Sequence, residues 1–106
     1  MADAADQKPA YVIAHITVTE PASYRAYEKG FFPVLKPYGA HFLTYDDNVT
    51  ILEGERADGR TVLIEFPSEE IALTWWNSKD YQQIADLRRA GAITNSIIML
   101  HAMPDR

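Results

Sequence analysis

Cysteine is absent from this 106-residue chain, which excludes thiol nucleophiles, thiolate metal sites and a disulfide framework, and fits a reducing compartment. The cytoplasm is the expected location. Basic charge is also scarce: 10 Lys and Arg stand against 15 Asp and Glu, for a net charge of −5. Surfaces that bind nucleic acid or anionic membrane draw on clustered cations, and here only Arg88-Arg89 forms a basic pair. Neither partner is expected. No apolar run approaches the roughly 20 residues needed to cross a bilayer. The first nine residues, MADAADQKP, carry neither the basic nor the apolar region of a signal peptide, so residues 1–9 read as a flexible tail ahead of one domain over 10–106.

Chemical motifs are sparse as well. There is no phosphate-cradling glycine loop and no G-x-S-x-G elbow. His15, His41 and His101 lack the close spacing of a zinc site. No metal and no cofactor is expected. A domain of this length buries about two thirds of its unfolded surface, so it needs no staple.

What is present is a strong pattern of elements. Residues 60–89, RTVLIEFPSEEIALTWWNSKDYQQIADLRR, begin with a β-branched strand. Pro67 lacks the N–H to continue a ladder and ends it. Ser68 is a natural N-cap, with Glu69 and Glu70 in the first turn where the helix dipole favours them. Ala72, Trp75 and Trp76 recur at helical spacing, and Asn77 or Ser78 caps a second helix from 79 to about 89. Upstream, residues 11–18 read as a strand, Pro21 opens a helix, and Gly30 with Pro33 predicts a break that leaves it in two pieces. A second strand is expected over 41–45, resuming over 49–53, with Asp58-Gly59 as a hairpin signal and a last strand over 96–103.

The order β-α-β-β-α-β gives an α+β, ferredoxin-like fold: a four-stranded antiparallel sheet with helices on one face and the first and third strands at its centre. Alternation turns Val12, Ala14, Ile16, Val18, Val62, Ile64 and Phe66 toward the helices. The other face receives Tyr11, Ile13, His15, Thr17, Leu63 and Glu65, with His41, Leu43 and Tyr45 as further members. Ile13, Leu43 and Leu63 make that face too apolar to stay wet, so a homodimer is expected.

The opening YVIAHITVTEPASYRAY, the central ILEGE, and then VLIEFPSEEIALTWW, NSKDYQQI and LRR resemble the bacterial domain of unknown function 1330 family across nearly all of residues 10–103. The resemblance implies a dimeric α/β-barrel in which two sheets pack face to face around a cavity. It marks Tyr24, Glu53-Gly54, Glu65 to Ser68, Trp75, Tyr81 and Arg88 as characteristic positions. Trp76 departs from a commoner tyrosine, and the ending HAMPDR departs from a commoner glycine. The family carries no established general activity.

The candidate chemistry rests on few side chains. Glu65 sits within an apolar strand, where a buried carboxylate demands a partner. One reading pairs it with an Arg or Tyr at a sheet face or interface; the other gives it proton transfer alongside His15, on the neighbouring strand and the same face. Arg88 answers Glu65, binds an anionic substrate, or stabilises a helix C-terminus. Tyr24, Trp75 and Tyr81 are candidates for substrate binding, with core packing as their other reading. Two function classes follow: a cofactor-independent binder of, or enzyme on, a small molecule held at the sheet–helix or dimer interface, and a non-catalytic dimeric accessory or ligand-sensing module. A connected pocket of roughly 300 Å³ or more, containing Glu65 and an aromatic wall, is what the first requires.

Overall fold

A computed structural model describes residues 8–104. The tail expected over 1–9 therefore lies, but for two residues, outside the described part. The strands are β1 (Ala10–Val18), β2 (His41–Asp46), β3 (Arg60–Phe66) and β4 (Ala92–Leu100); the helices are α1 (Pro21–Leu35), α2 (Glu69–Asn77) and α3 (Lys79–Gly91). All neighbouring strands are antiparallel in the order β2-β3-β1-β4. This is the ferredoxin-like arrangement that the element order demands, with β1 and β3 central. No helix among the described residues is long and apolar enough to cross a membrane.

Local chemistry sets the helix boundaries. Pro21 occupies the first turn of α1, where its missing N–H costs nothing. Ser68 Oγ accepts from Ile71 N at 3.1 Å, and Ser78 Oγ accepts from Tyr81 N at 3.1 Å, so α2 and α3 each start on a serine cap. The core lies between sheet and helices. It is built from Val12, Ile16, Ile64 and Phe66 on the sheet, and from Tyr24, Tyr27, Phe31, Leu35, Trp75, Tyr81 and Ala85 on the helices.

Four expectations are corrected. First, α1 is one continuous helix, followed by a 3₁₀ turn over Lys36–Tyr38. Gly30 serves packing instead of a break: a Cβ there would stand 3.0 Å from Ile84 Cγ2 on α3. Pro33 deprives the Lys29 carbonyl of its helical donor, but both residues face solvent, where water can replace it. Second, residues 49–53 form no strand. A 13-residue segment, 47–59, joins β2 to β3, and it begins where Asp46 Oδ1 accepts from Asn48 N at 2.8 Å.

Third, β4 starts directly after α3 and ends at Leu100, earlier at both ends than expected. Its ladder with β1 shifts between His15 and Ile16, leaving Asn95 as the extra residue. Fourth, β2 shifts register between Phe42 and Thr44 against β3, so Leu43 is bulged out. One extra residue inverts the alternation beyond it. Tyr45 then pairs with Val62 and turns to the helix side, away from the open face to which simple alternation assigned it.

The helix layer is pinned at Gly91. Its carbonyl accepts from both Thr19 N and Glu20 N at 2.9 Å, and a Cβ at this position would come within 2.8 Å of Tyr24 N and 2.9 Å of Ser23 Cβ. Gly91→Ala is therefore expected to destabilise the protein by about 1–3 kcal/mol, despite the better helix propensity of alanine, because rigid backbone must move. Gly30→Ala, which meets only a side chain, should cost less. Urea denaturation of both variants checks this, and a Gly91→Ala midpoint equal to wild type would refute the close approach.

Candidate functional site

Between the sheet and the helices lies a cavity of ≈ 160 Å³. Val12, Ala14, Ile16, Val62, Ile64 and Ile97 form its floor, while Tyr24, Tyr27 and Phe31 from α1, Trp75 from α2, and Tyr81 and Arg88 from α3 form its roof. Ala14, the smallest of the floor residues, faces this space between two larger neighbours of the same strand. Phe42, Tyr45, Arg60 and Glu28 lie at one side of it.

The aromatic wall follows from helical phase. Tyr24, Tyr27 and Phe31 are spaced i, i+3, i+7 on α1, and Tyr81, Ala85 and Arg88 are spaced i, i+4, i+7 on α3, so both stripes face the sheet. The hydroxyls of Tyr27 and Tyr81 are 3.0 Å apart, across the contact of α1 with α3. Trp75 and Tyr81 rings lie 4.2 Å between centroids. Burial pushes the Tyr27 and Tyr24 hydroxyls above the ordinary tyrosine range, Tyr24 against the opposing pull of Arg60, so both remain protonated donors at neutral pH.

Arg88 is the unusual member. It belongs to the last turn of α3, where a helix dipole accounts for a cation, yet its side chain is 2% exposed and turned inward. Nη1 donates to Thr94 Oγ1 at 2.5 Å, and the guanidinium carbon lies 5.9 Å from the centre of the Tyr27 ring. Thr94 reaches this side because of the bulge at Asn95. Nε has no hydrogen-bond partner, and no carboxylate among the described residues forms an ion pair with this guanidinium. Trp75 Nε1 is a second buried donor without a partner.

Arg60 closes the rim in a different manner. It donates to Glu28 Oε2 at 2.7 Å and to both carboxylate oxygens of Asp47 at 2.7 and 3.1 Å, and its guanidinium lies 4.6 Å from the centre of the Tyr45 ring. The clamp thus ties α1, the 47–59 segment and β3 together. Its cation is balanced, whereas that of Arg88 is not.

Of the residues marked from sequence, Tyr24, Trp75, Tyr81 and Arg88 meet at the cavity. Glu65 and His15 do not. Both lie on the open face of the sheet, opposite to the cavity, and Arg88 is separated from Glu65 by the sheet itself. His15 pairs with Thr61 and Glu65 with Tyr11, four register positions apart, or about 13 Å at the usual rise of a strand. A His15–Glu65 pair is therefore not assembled within one protomer. His15 is buried because the 47–59 segment folds over it, with Nε2–H donating to the Ala57 carbonyl at 3.0 Å. Glu65 has Tyr11 and His41 as its cross-strand neighbours. The aromatic wall is present, but the cavity is smaller than 300 Å³ and lacks Glu65.

Tyr27, Glu28, Tyr45 and Arg60 are site residues that the sequence reading did not select. Arg60 was detectable: it precedes Val62, Ile64 and Phe66 in the same alternating phase, which directs it to the helix side. Tyr45 was not, because the bulge that turns it inward leaves no mark in composition.

Hydrogen bonds from Arg60 hold the Asp47 carboxyl below the usual carboxylate range. A depressed pKa stabilises the fold above the unfolded-state value and is lost as pH falls through the folded one. Because Asp47 is largely exposed, Asp47→Asn is expected to cost about 0.2–1 kcal/mol at neutral pH. The gap should vanish at strongly acid pH, where both proteins lack the charge. Melting curves across that range check it, and a gap that persists in acid would contradict the clamp.

The family model described as Domain of unknown function (DUF1330) matches residues 9–102. No curated protein matches the chain. Among solved structures, a protein of unknown function from Rhodopseudomonas palustris has a TM-score of 0.74 at 16% identity, covering 95% of this chain and 88% of that one. HapK from Hahella chejuensis has a TM-score of 0.58 at 9% identity, with coverages of 92% and 95%. SnoaB, a cofactor-independent oxygenase from Streptomyces nogalater, has a TM-score of 0.54 at 16% identity, with coverages of 92% and 95%. At these identities the likeness is one of fold alone. With a family model spanning almost all of the sequence and the ferredoxin-like fold expected of it, the chain belongs to the DUF1330 family.

Proposed function

We propose that this protein is a cofactor-independent small-molecule-binding protein whose ligand occupies the cavity between sheet and helices. One observation carries the reading: Arg88 is buried at the cavity wall with no carboxylate partner among the described residues. Burying a charge without a partner is costly, and a structure retains it when a ligand supplies the other half. The lining offers no free base. Its one carboxylate, Glu28, is engaged by Arg60 at 2.7 Å, which favours binding, transport or sensing over proton-transfer catalysis. The cofactor-independent oxygenase among the fold neighbours makes oxygen consumption the first activity to assay once a ligand is in hand. The bacterial cytoplasm is the setting that fits a cysteine-free, acidic chain.

A thermal-shift screen against small metabolites tests the reading, since a ligand raises the melting temperature by mass action. Ala14→Leu should fill the void and abolish the shift for every hit while leaving the unliganded melting temperature at or above that of wild type. Hits that survive Ala14→Leu would remove the ligand from this cavity.

We further propose that two protomers pair through their open sheet faces, forming the dimeric α/β-barrel. Ile93, Ile98 and Leu100 on β4 and Leu43 on β2 are large apolar side chains left exposed there, next to half-buried Ile13 and Leu63. Leu52, on the 47–59 segment, is 94% exposed as well. A two-fold contact across such a face would bury more than about 1,000 Å². Under this pairing Glu65 is an interface residue, bracketed by Tyr11 and His41, while His15 is already covered by the 47–59 segment of its own protomer. Light scattering should give a dimer at micromolar concentration, and Ile98→Asp with Leu63→Arg should give a folded monomer. A wild-type monomer would overturn the pairing without touching the cavity.

A further inference from the structure

We infer that the ligand is a monoanionic carboxylic acid with a flat apolar body about the size of one six-membered ring, its carboxylate held by Arg88; this rests on the cavity reading above. Three features of the site lead to it: volume, charge and the balance of donors to acceptors.

The volume is ≈ 160 Å³, close to the roughly 150 Å³ apolar cavity that takes up benzene. A single ring or a short branched chain fills it. The walls favour a flat body. Tyr24, Tyr27, Phe31, Trp75 and Tyr81 supply aromatic surface above an aliphatic floor, and rings gain from offset or edge contacts with such walls.

The interior charge is the guanidinium of Arg88 alone. Arg60 already has two carboxylates, and Glu28 and Asp47 both reach solvent, so these charges belong to the rim. One buried cation is matched by one negative charge. A dianion would bring a second charge into a space that offers it no partner, with Glu28 nearby to repel it.

Donors outnumber acceptors. Arg88 Nε and Trp75 Nε1 are both unpaired. Tyr27 and Tyr81 share one hydrogen bond at 3.0 Å, so whichever hydroxyl donates, the O–H of the other is left over. An ionised carboxylate accepts only, through two oxygens, and it matches the fork of a guanidinium. An amide or alcohol brings donors that the wall has few means to receive.

Matched probes decide the matter: benzoate, its neutral isostere benzamide, phenylphosphonate at a mildly alkaline pH where it is a dianion, and toluene as an uncharged ring, each titrated at that same pH by calorimetry and by tryptophan fluorescence. Benzoate is expected to bind more tightly than benzamide by about 10- to 100-fold, the usual worth of a hydrogen bond to a charged group, and phenylphosphonate more weakly than benzoate. Arg88→Met should lose that preference for benzoate while still binding toluene, which also shows that the variant is folded. Arg88→Lys should recover part of it. Equal affinity for benzoate and benzamide, or benzoate binding unchanged in Arg88→Met, would overturn the carboxylate assignment. Toluene binding that Ala14→Leu abolishes, with no benzoate binding in wild type, would overturn the assignment and leave the cavity reading intact. Failure of every probe would overturn this ligand class, and insensitivity of all screening hits to Ala14→Leu would overturn the cavity reading itself.

Discussion

The site depends on the junction at Gly91, where the end of α3 meets the turn from β1 into α1. A helix ends with carbonyls that have no intrahelical donor, and here the Gly91 carbonyl takes two, from Thr19 N and Glu20 N. The missing Cβ lets α1 approach within van der Waals distance of that end. Since α1 carries Tyr24 and Tyr27 while α3 carries Tyr81 and Arg88, this junction sets how the two stripes face each other. Ser23 Oγ donates to the Leu87 carbonyl at 2.9 Å and reinforces the same contact. The Tyr27–Tyr81 hydroxyl pair and the position of Arg88 over the Tyr27 ring are consequences of helix placement.

The sheet contributes through its irregularities. In a regular ladder β2 and β4 would each present a fixed alternation to the helices, and every second residue would be committed by its neighbours. Bulges at Leu43 and Asn95 break that commitment at two places. Beyond the first, Tyr45 turns inward to lie against Arg60; beyond the second, Thr94 turns inward to receive Arg88 Nη1. Both arginines of the site are thus supported by a strand residue that a bulge has re-aimed. Asn95 Nδ2 donates to Thr17 Oγ1, which in turn donates to the Asp58 carbonyl, so the β4 bulge also anchors the 47–59 segment over the end of β1.

These features divide what the sequence could reveal from what it could not. The helices, the four strands of the sheet and the serine caps follow from local pattern, and the sheet order from the sequence of elements and the handedness of their connections. The continuity of α1 did not, since whether Gly30 breaks a helix or admits Ile84 depends on a residue 54 positions away. Arg88 was visible as a candidate but had a simpler reading at a helix end; its phase with Tyr81 and Ala85 was the stronger clue, since that stripe is buried throughout. Glu65 drew attention as a charge in an apolar strand, yet alternation sends it to the open face, where it is half-buried in one protomer and away from the cavity. Unusual composition marks a residue as odd. Only the fold says what it meets on its side of the sheet.

A cavity in a domain this small is itself informative. Protein interiors pack to crystal-like density, and about 160 Å³ left beneath three helices forfeits dispersion contacts that a larger residue at Ala14 would restore. Arg88 adds a second penalty of a different kind, a buried cation with an unmet donor. Sequences with methionine at position 88 and leucine at position 14 lie within a few nucleotide changes and would relieve both. Void and charge adjoin one another, and a single flat anion would fill the first while neutralising the second. Either defect alone has many explanations in packing; their coincidence at one wall has a much shorter list, and a ligand heads it.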